Sequence, residues 1–138
     1  MTRSQAAVAG LQQCLALEHE AIWLYGYLGG KVPGITGRAF KAYESHRTLR
    51  DTLISMLHES QSTVPGPKAD YALTPVKNTA QAMAVARTIE SRGEAAYLAL
   101  VGATETADRK FALQMLREAA LSSLAWGAAP SAFPGLPS

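Results

Sequence analysis

Residues 62–77 read STVPGPKADYALTPVK and hold three of the chain's seven prolines, Pro65, Pro67 and Pro75. Proline has no backbone N–H, and its ring clashes with the preceding turn of an α-helix, so most of this segment cannot be helical. The chain on either side is rich in alanine and leucine, which have high helix propensity. The segment is therefore predicted to be a long irregular connection between two helical halves.

Glycine, proline and capping residues divide each half into two helices. Ser4 is the expected cap of the first helix, the Gly29-Gly30 pair its end, and Asn78 or Thr79 the cap of the third. The predicted helices span about residues 4–28, 37–61, 79–102 and 106–126, with an irregular tail at 127–138. Two helical hairpins joined by one long crossover predict an all-α four-helix bundle, a single domain over residues 1–138.

Composition and charge exclude several classes of protein. The 138 residues carry 13 Lys+Arg and 11 Asp+Glu, and they lack the dense basic surface that neutralises phosphates in nucleic-acid binders. The single cysteine, Cys14, excludes an internal disulfide and any metal site built on several cysteines. Gln12 and Gln13 interrupt the first apolar stretch, so neither a signal peptide nor a membrane span is expected. We therefore expect a cytoplasmic protein that binds neither nucleic acid nor membrane.

A short pattern repeats between the two halves at an offset of 72 residues. Glu18 precedes Tyr25 by seven residues in the first helix, and Glu90 precedes Tyr97 by the same spacing in the third. Residues at this spacing lie two turns apart on one face of a helix. The pattern indicates a duplicated helical hairpin.

One ionisable residue in each helix is predicted to face the interior of the bundle. On helical wheels the residues that fall among apolar neighbours are Glu18, His46, Glu90 and Glu118. Arg50 lies one turn after His46 on the same face of the second helix, and Tyr43 lies one turn before it. A buried charge costs several kcal/mol unless it is paired or ligated. Four such residues at one depth therefore predict a shared polar site.

Several short stretches, spread over nearly the whole chain, carry a resemblance to a known superfamily. They are Leu17-Glu18-His19-Glu20-Ala21, Tyr25-Gly26, Ala42-Tyr43, His46-Arg47, Arg50-Asp51-Thr52-Leu53, Tyr71-Ala72-Leu73, Glu90 with Tyr97, and Phe133-Pro134-Gly135-Leu136-Pro137. With these stretches the chain resembles the ferritin-like superfamily, and most closely a small, alanine-rich, functionally uncharacterised bacterial branch of it. The resemblance implies a ferritin-like four-helix bundle with one crossover connection.

The resemblance also implies a degenerate di-metal site. In metal-binding members of the superfamily the first and third helices each supply a Glu, and the second and fourth each supply Glu-x-x-His. The matching positions in this chain are Glu18, His46, Glu90 and Glu118. Tyr43 stands where the Glu of the second helix would be, and Leu121 stands where the His of the fourth helix would be. With two of the six ligands missing, a complete dinuclear site is not expected.

The negative charge of the inward-facing carboxylates can be balanced in two ways, and both remain open. The first is a metal-free polar core or ligand-binding site, neutralised by Arg50 and a protonated His46 and formed by Glu18, Tyr43, His46, Arg50, Glu90 and Glu118. It predicts a non-enzymatic protein without a cofactor that binds a protein partner or a small ligand. The second is a single iron or manganese ion held by Glu18, His46, Glu90 and Glu118. It predicts a metal-dependent oxidase or an iron-handling protein.

The first helix is apolar on most of its circumference. Leu17, Trp23, Leu24 and Tyr27 lie away from the face that carries Glu18. A helix that is apolar all round is normally covered on both sides. Either the crossover and the tail around Phe133 cover this outer face, or a second copy of the chain does. We expect a homodimer that buries these four residues.

Overall fold

The computed structural model describes residues 2–137 and contains four α-helices, α1 to α4. Their bounds are Gln5–Lys31 for α1, Thr36–Glu59 for α2, Thr79–Ala103 for α3 and Thr106–Ala125 for α4, with a short 3-10 turn, Pro33–Ile35, between α1 and α2. The helices pack as two hairpins, α1 with α2 and α3 with α4, and α1 packs against α3. This confirms the predicted all-α four-helix bundle.

Capping residues set two of the helix starts as predicted. The Ser4 hydroxyl accepts a hydrogen bond from the Ala7 N–H at 3.1 Å, and the Asn78 side chain accepts one from the Gln81 N–H at 2.9 Å. Such caps satisfy backbone donors that have no partner within the helix. Met1 and Ser138, at the two ends of the predicted domain and its tail, lie outside the described residues.

α1 continues through Gly29-Gly30 to Lys31, beyond its predicted end. A Cβ atom added to Gly29 would lie 3.2 Å from the Cβ of Ala39 on α2. Gly29 therefore allows the two helices of the first hairpin to approach closely, and it does not end the helix. The prediction was wrong here because a glycine that allows close packing looks the same in sequence as a glycine that ends a helix.

The connection at residues 62–77 has no helix or strand and runs along α1. Gln12 donates to the carbonyl of Thr63 at 2.9 Å, and the His19 ring nitrogen Nε2 lies 2.9 Å from the carbonyl oxygen of Pro65. Further along, the ring of Tyr71 lies 5.8 Å from that of Trp23. The connection thus lies over the outer face of α1.

The apolar core consists of two clusters. One includes Leu24, Leu28, Ala39, Ala86 and Trp126, and the other includes Leu11, Leu53, Leu57, Leu100 and Leu116. His46 and Glu90 fall between the positions of α2 and α3 that contribute to the two clusters, and Glu18 lies close to the change from one cluster to the other on α1. Over the part of the chain that the structure describes, no helix has the length and apolar character needed to cross a membrane.

Candidate functional site

Glu18, His46 and Glu90 meet at mid-height in the bundle, and we call these three residues the polar layer. The carboxylates come from α1 and α3 and are buried, with 2% and 3% of their surface exposed. His46 extends from α2 between them. Its Nδ1 lies 2.5 Å from Oε2 of Glu18, and its Nε2 lies 3.0 Å from Oε1 of Glu90. Each ring nitrogen therefore faces a carboxylate oxygen.

This geometry favours the positively charged form of His46. An ionised carboxylate only accepts hydrogen bonds, so a ring that bonds to two of them must carry a proton on both nitrogens. Burial on its own lowers the pKa of His46, but the hydrogen bonds to Glu18 and Glu90 and their negative charges outweigh it and raise the pKa to about 10. His46 is therefore an imidazolium at neutral pH.

Two tyrosines complete the hydrogen bonding of the polar layer in a reciprocal pattern. Tyr25 on α1 donates to Oε1 of Glu90 on α3 at 2.6 Å, and Tyr97 on α3 donates to Oε1 of Glu18 on α1 at 2.9 Å. Burial and the nearby carboxylates raise the pKa of both hydroxyls, so both stay protonated and remain donors. The Glu–Tyr pattern that repeats along the sequence thus forms two crossed pairs between α1 and α3.

Replacing Tyr97 by phenylalanine is expected to lower the free energy of unfolding by about 2 kcal/mol. The substitution keeps the ring and removes the donor to the buried Glu18. Tyr43→Phe is the control, because the Tyr43 ring packs beside Gly26, outside the polar layer, and a change below about 0.5 kcal/mol is expected. Urea unfolding measures both variants, and equal midpoints would contradict the role of the Tyr97 hydroxyl.

The prediction that Glu118 faces the interior was wrong. Glu118 is exposed and lies 3.4 Å from the amide nitrogen of Gln114, on the surface of α4. The buried residues of α4 are Ala112, Leu116, Ala119 and Ser123. A Cβ atom added to Gly93 of α3 would lie 3.9 Å from the Cβ of Ala119, so small residues allow close contact at this point. Leu121, which stands where the His of the fourth helix would be, is also exposed, at 65%.

Arg50 and Tyr43 also lie outside the polar layer, contrary to their predicted placement. Arg50 is partly exposed, and its Nε donates to Asp51 at 2.8 Å instead of to a buried carboxylate. Tyr43 is half-buried, with the guanidinium of Arg47 5.5 Å from its ring centroid. From the sequence, Arg50 and His46 together are expected to neutralise the carboxylates. His46 lies directly between Glu18 and Glu90 and does this without Arg50.

The residues at the polar layer do not fit a metal ion. Each nitrogen of His46 lies at hydrogen-bond distance from a carboxylate oxygen, which leaves no space for an ion between them. Glu118 lies outside the layer, and Tyr43 replaces the carboxylate that a di-metal site would need. Within residues 2–137, no three or more His, Cys, Asp or Glu side chains are arranged to hold a metal.

Trp126, just after α4, is part of the surroundings of the polar layer that the sequence analysis missed. Its ring stacks on Tyr25 at 5.9 Å, and Tyr25 in turn stacks on His46 at 5.4 Å. The guanidinium of Arg38 lies 4.1 Å from the centroid of the Trp126 ring. An aromatic residue after the last turn of a helix has no helical periodicity, so its position could not be inferred from the pattern.

The residues of the predicted dimer interface are largely covered within the chain. Leu17 and Leu24 are buried, and Trp23 stacks on Tyr27 and contacts Tyr71 of the connection. In the tail, Phe133 and Leu136 are exposed, at 71% and 58%, so these side chains do not seal the face. Homodimer formation stays a prediction, but Leu17 and Leu24 are not available to a second copy in this conformation.

A cavity of about 340 Å³ lies between the connection, α1 and α3. Its apolar wall includes Leu24, Leu73, Val76, Val85 and Ile89. The charged pair Glu20 and Arg92 also lines it, joined by two hydrogen bonds of 2.6 and 3.0 Å. This cavity was not anticipated, because the connection that forms one of its walls has no regular pattern.

Comparison with known proteins gives a family and a solved structure to which the chain is similar. The family described as "Domain of unknown function (DUF4439)" matches residues 10–138. The crystal structure of a conserved hypothetical protein, Rv2844, from Mycobacterium tuberculosis is 35% identical in sequence, with a TM-score of 0.84, over 91% of this chain and 97% of that one. None of the curated proteins matches the chain. Neither description names an activity.

Proposed function

Because the chain belongs to the DUF4439 family of domains of unknown function, we propose its function from its own residues: a non-enzymatic, ferritin-like bundle that binds a small ligand or a protein partner. The observation that carries the proposal is the position of His46, with one ring nitrogen at hydrogen-bond distance from Glu18 and the other at hydrogen-bond distance from Glu90. Protonated on both nitrogens, His46 supplies, as part of the chain, the positive charge that a metal supplies in metal-binding members of the superfamily.

The polar layer has the properties of a structural centre. Its cation bonds to both carboxylates, and the tyrosine hydroxyls donate to the same two groups. A general base must offer a free acceptor to its substrate, and a metal ligand must offer a free lone pair. Because both nitrogens of His46 carry protons, the imidazole offers neither. We therefore assign the binding of a partner or ligand to the other surfaces of the bundle and to the cavity beside α1 and α3.

The competing function is that of a metal-dependent oxidase or iron-handling protein with one iron or manganese ion. The observation that favours it is that two buried carboxylates from different helices converge on one point. Metal binding would require His46 to lose a proton and turn one nitrogen toward the ion. A pKa of about 10 opposes this deprotonation at neutral pH.

Metal analysis separates the two functions. Protein purified with excess Fe²⁺ or Mn²⁺ at pH 7 and then desalted is expected to retain much less than one metal per chain, because the imidazolium repels the ion. His46→Ala is the matched variant, since it keeps both carboxylates and removes the cation, and it is expected to retain more Mn²⁺ than the native chain. One iron per native chain, lost in both Glu18→Gln and Glu90→Gln, would overturn the proposal.

A further inference from the structure

We propose that the cavity between the connection, α1 and α3 binds a free α-amino acid with an apolar side chain. This inference rests on the proposed binding function and names its ligand class. The cavity volume of about 340 Å³ is near the lower end of the range for small-molecule sites, roughly 300 to 1,000 Å³. A ligand of one amino acid suits this size better than a peptide or a nucleotide does.

The charges at the cavity select a zwitterion. Among the described residues that line it, Glu20 and Arg92 are the charged ones, and they pair with each other. A ligand with only a carboxylate would take Arg92 and leave Glu20 unpaired, and a ligand with only an amine would do the reverse. An amino acid offers both groups. Its carboxylate binds the two-pronged guanidinium, and its ammonium group binds the Glu20 carboxylate.

The Glu20–Arg92 pair is arranged to open at low cost. The Arg92 side chain is 52% exposed, whereas that of Glu20 is 17% exposed, so Arg92 is the partner with room to move away from the other. Exposed ion pairs contribute little to stability, because water and salt replace the lost interaction. When the pair opens, Arg92 contacts the ligand's carboxylate and Glu20 contacts its ammonium group. Neither charge is left unpaired.

The side chain of the ligand binds against the apolar wall of the cavity. Leu24 and Ile89 are buried parts of the core, and Val76 of the connection faces the same space. Two polar side chains of the lining are engaged within the chain: the Thr88 hydroxyl donates to the carbonyl of Ala84, and the Gln81 amide oxygen accepts from the N–H of Lys77. The cavity therefore favours leucine-like or phenylalanine-like side chains over polar ones.

Calorimetric titration of the full chain with L-leucine and L-phenylalanine tests the inference. Saturable binding of at least one of them is expected. The matched probes are 4-methylpentanoate, which lacks the ammonium group of leucine, 3-methylbutylamine, which lacks the carboxylate, and glycine, which lacks the side chain. Each is expected to bind at least about tenfold more weakly, a loss of about 1.4 kcal/mol. No saturable heat with either amino acid, or equal binding of 4-methylpentanoate, would overturn the inference.

Variants locate the binding. Glu20→Gln and Arg92→Gln are each expected to weaken amino-acid binding at least about tenfold, measured after circular dichroism has verified the helix content. The controls are Glu44→Gln and Arg47→Gln, which break an exposed pair on α2 away from the cavity and should leave binding unchanged. Equal binding by all four variants would overturn the site. Absence of amino-acid binding in a chain that also retains no metal overturns this inference alone, whereas stoichiometric iron overturns the proposed function.

Discussion

Replacing His46 by alanine is expected to lower the free energy of unfolding by about 3 to 5 kcal/mol at pH 7. The substitution leaves Glu18 and Glu90 buried without the cation that lies between them. Urea unfolding followed by circular dichroism measures the change. His58→Ala is the matched control on the same helix, because His58 is exposed, and it is expected to change stability by less than about 0.5 kcal/mol.

A double variant separates the loss of charge from the loss of packing. His46→Ala creates a cavity as well as two unpaired carboxylates, and both effects destabilise the fold. If the unpaired charge dominates, then Glu90→Gln added to His46→Ala should recover part of the lost stability, because it removes one of the two negative charges. Glu90→Gln alone should destabilise the native chain. A native midpoint in His46→Ala, or additive losses in the double variant, would contradict an ion pair at the centre of the fold.

The helical architecture could be predicted because its signals are local. The prolines between residues 62 and 77 exclude a helix whatever the rest of the chain does, and Ser4 and Asn78 cap their helices through bonds to residues three positions later. The end of α1 could not be predicted, because it depends on how closely Gly29 approaches Ala39 on the next helix. Distances between helices are not encoded in the pattern of one helix.

The polar layer was predictable in part for the same reason. Glu18 and Glu90 are charged residues on helix faces that are otherwise uncharged, so helical periodicity places them correctly. Three of the four buried residues of α4 are small, Ala112, Ala119 and Ser123, whereas the large apolar Leu121 is exposed, so a helical wheel does not show that Glu118 lies on the outer face. On α2, two cations lie one turn apart on one face, and periodicity cannot decide which reaches the carboxylates.

The internal repeat acquires a physical meaning in the structure. Each Glu in the repeated pattern takes its hydrogen bond from the Tyr of the other half, Glu18 from Tyr97 and Glu90 from Tyr25. A two-fold arrangement of two identical hairpins would produce this exchange, since a contact from one half to the other must then occur twice. His46 breaks this symmetry, because its single imidazole bonds to the carboxylates of both halves. One cation therefore serves both carboxylates.

Stability is expected to fall as the pH rises from 6.5 to 8.5, by about 2 kcal/mol over these two units. The pKa of His46 is near 6.5 in the unfolded chain and about 10 in the folded protein. Between these values the folded state holds a proton that the unfolded state has released. A raised pKa therefore contributes stability that is fully present below pH 6.5 and is lost as the pH approaches 10. Urea unfolding at several pH values measures this slope.

The variant His46→Gln tests whether His46 causes this pH dependence of stability, because glutamine is neutral at every pH between 6.5 and 8.5. The variant is expected to be less stable than the native chain at pH 6.5 and to show a much flatter dependence up to pH 8.5. The window ends below pH 9 because burial and Glu18 also raise the pKa of Cys14, from 9.0 to about 12, which adds a second loss at higher pH. If the native chain is as flat as His46→Gln between pH 6.5 and 8.5, His46 is neutral in the fold. Its nitrogens would then be free to meet a metal ion, and the proposal of a metal-free centre would lose its physical basis.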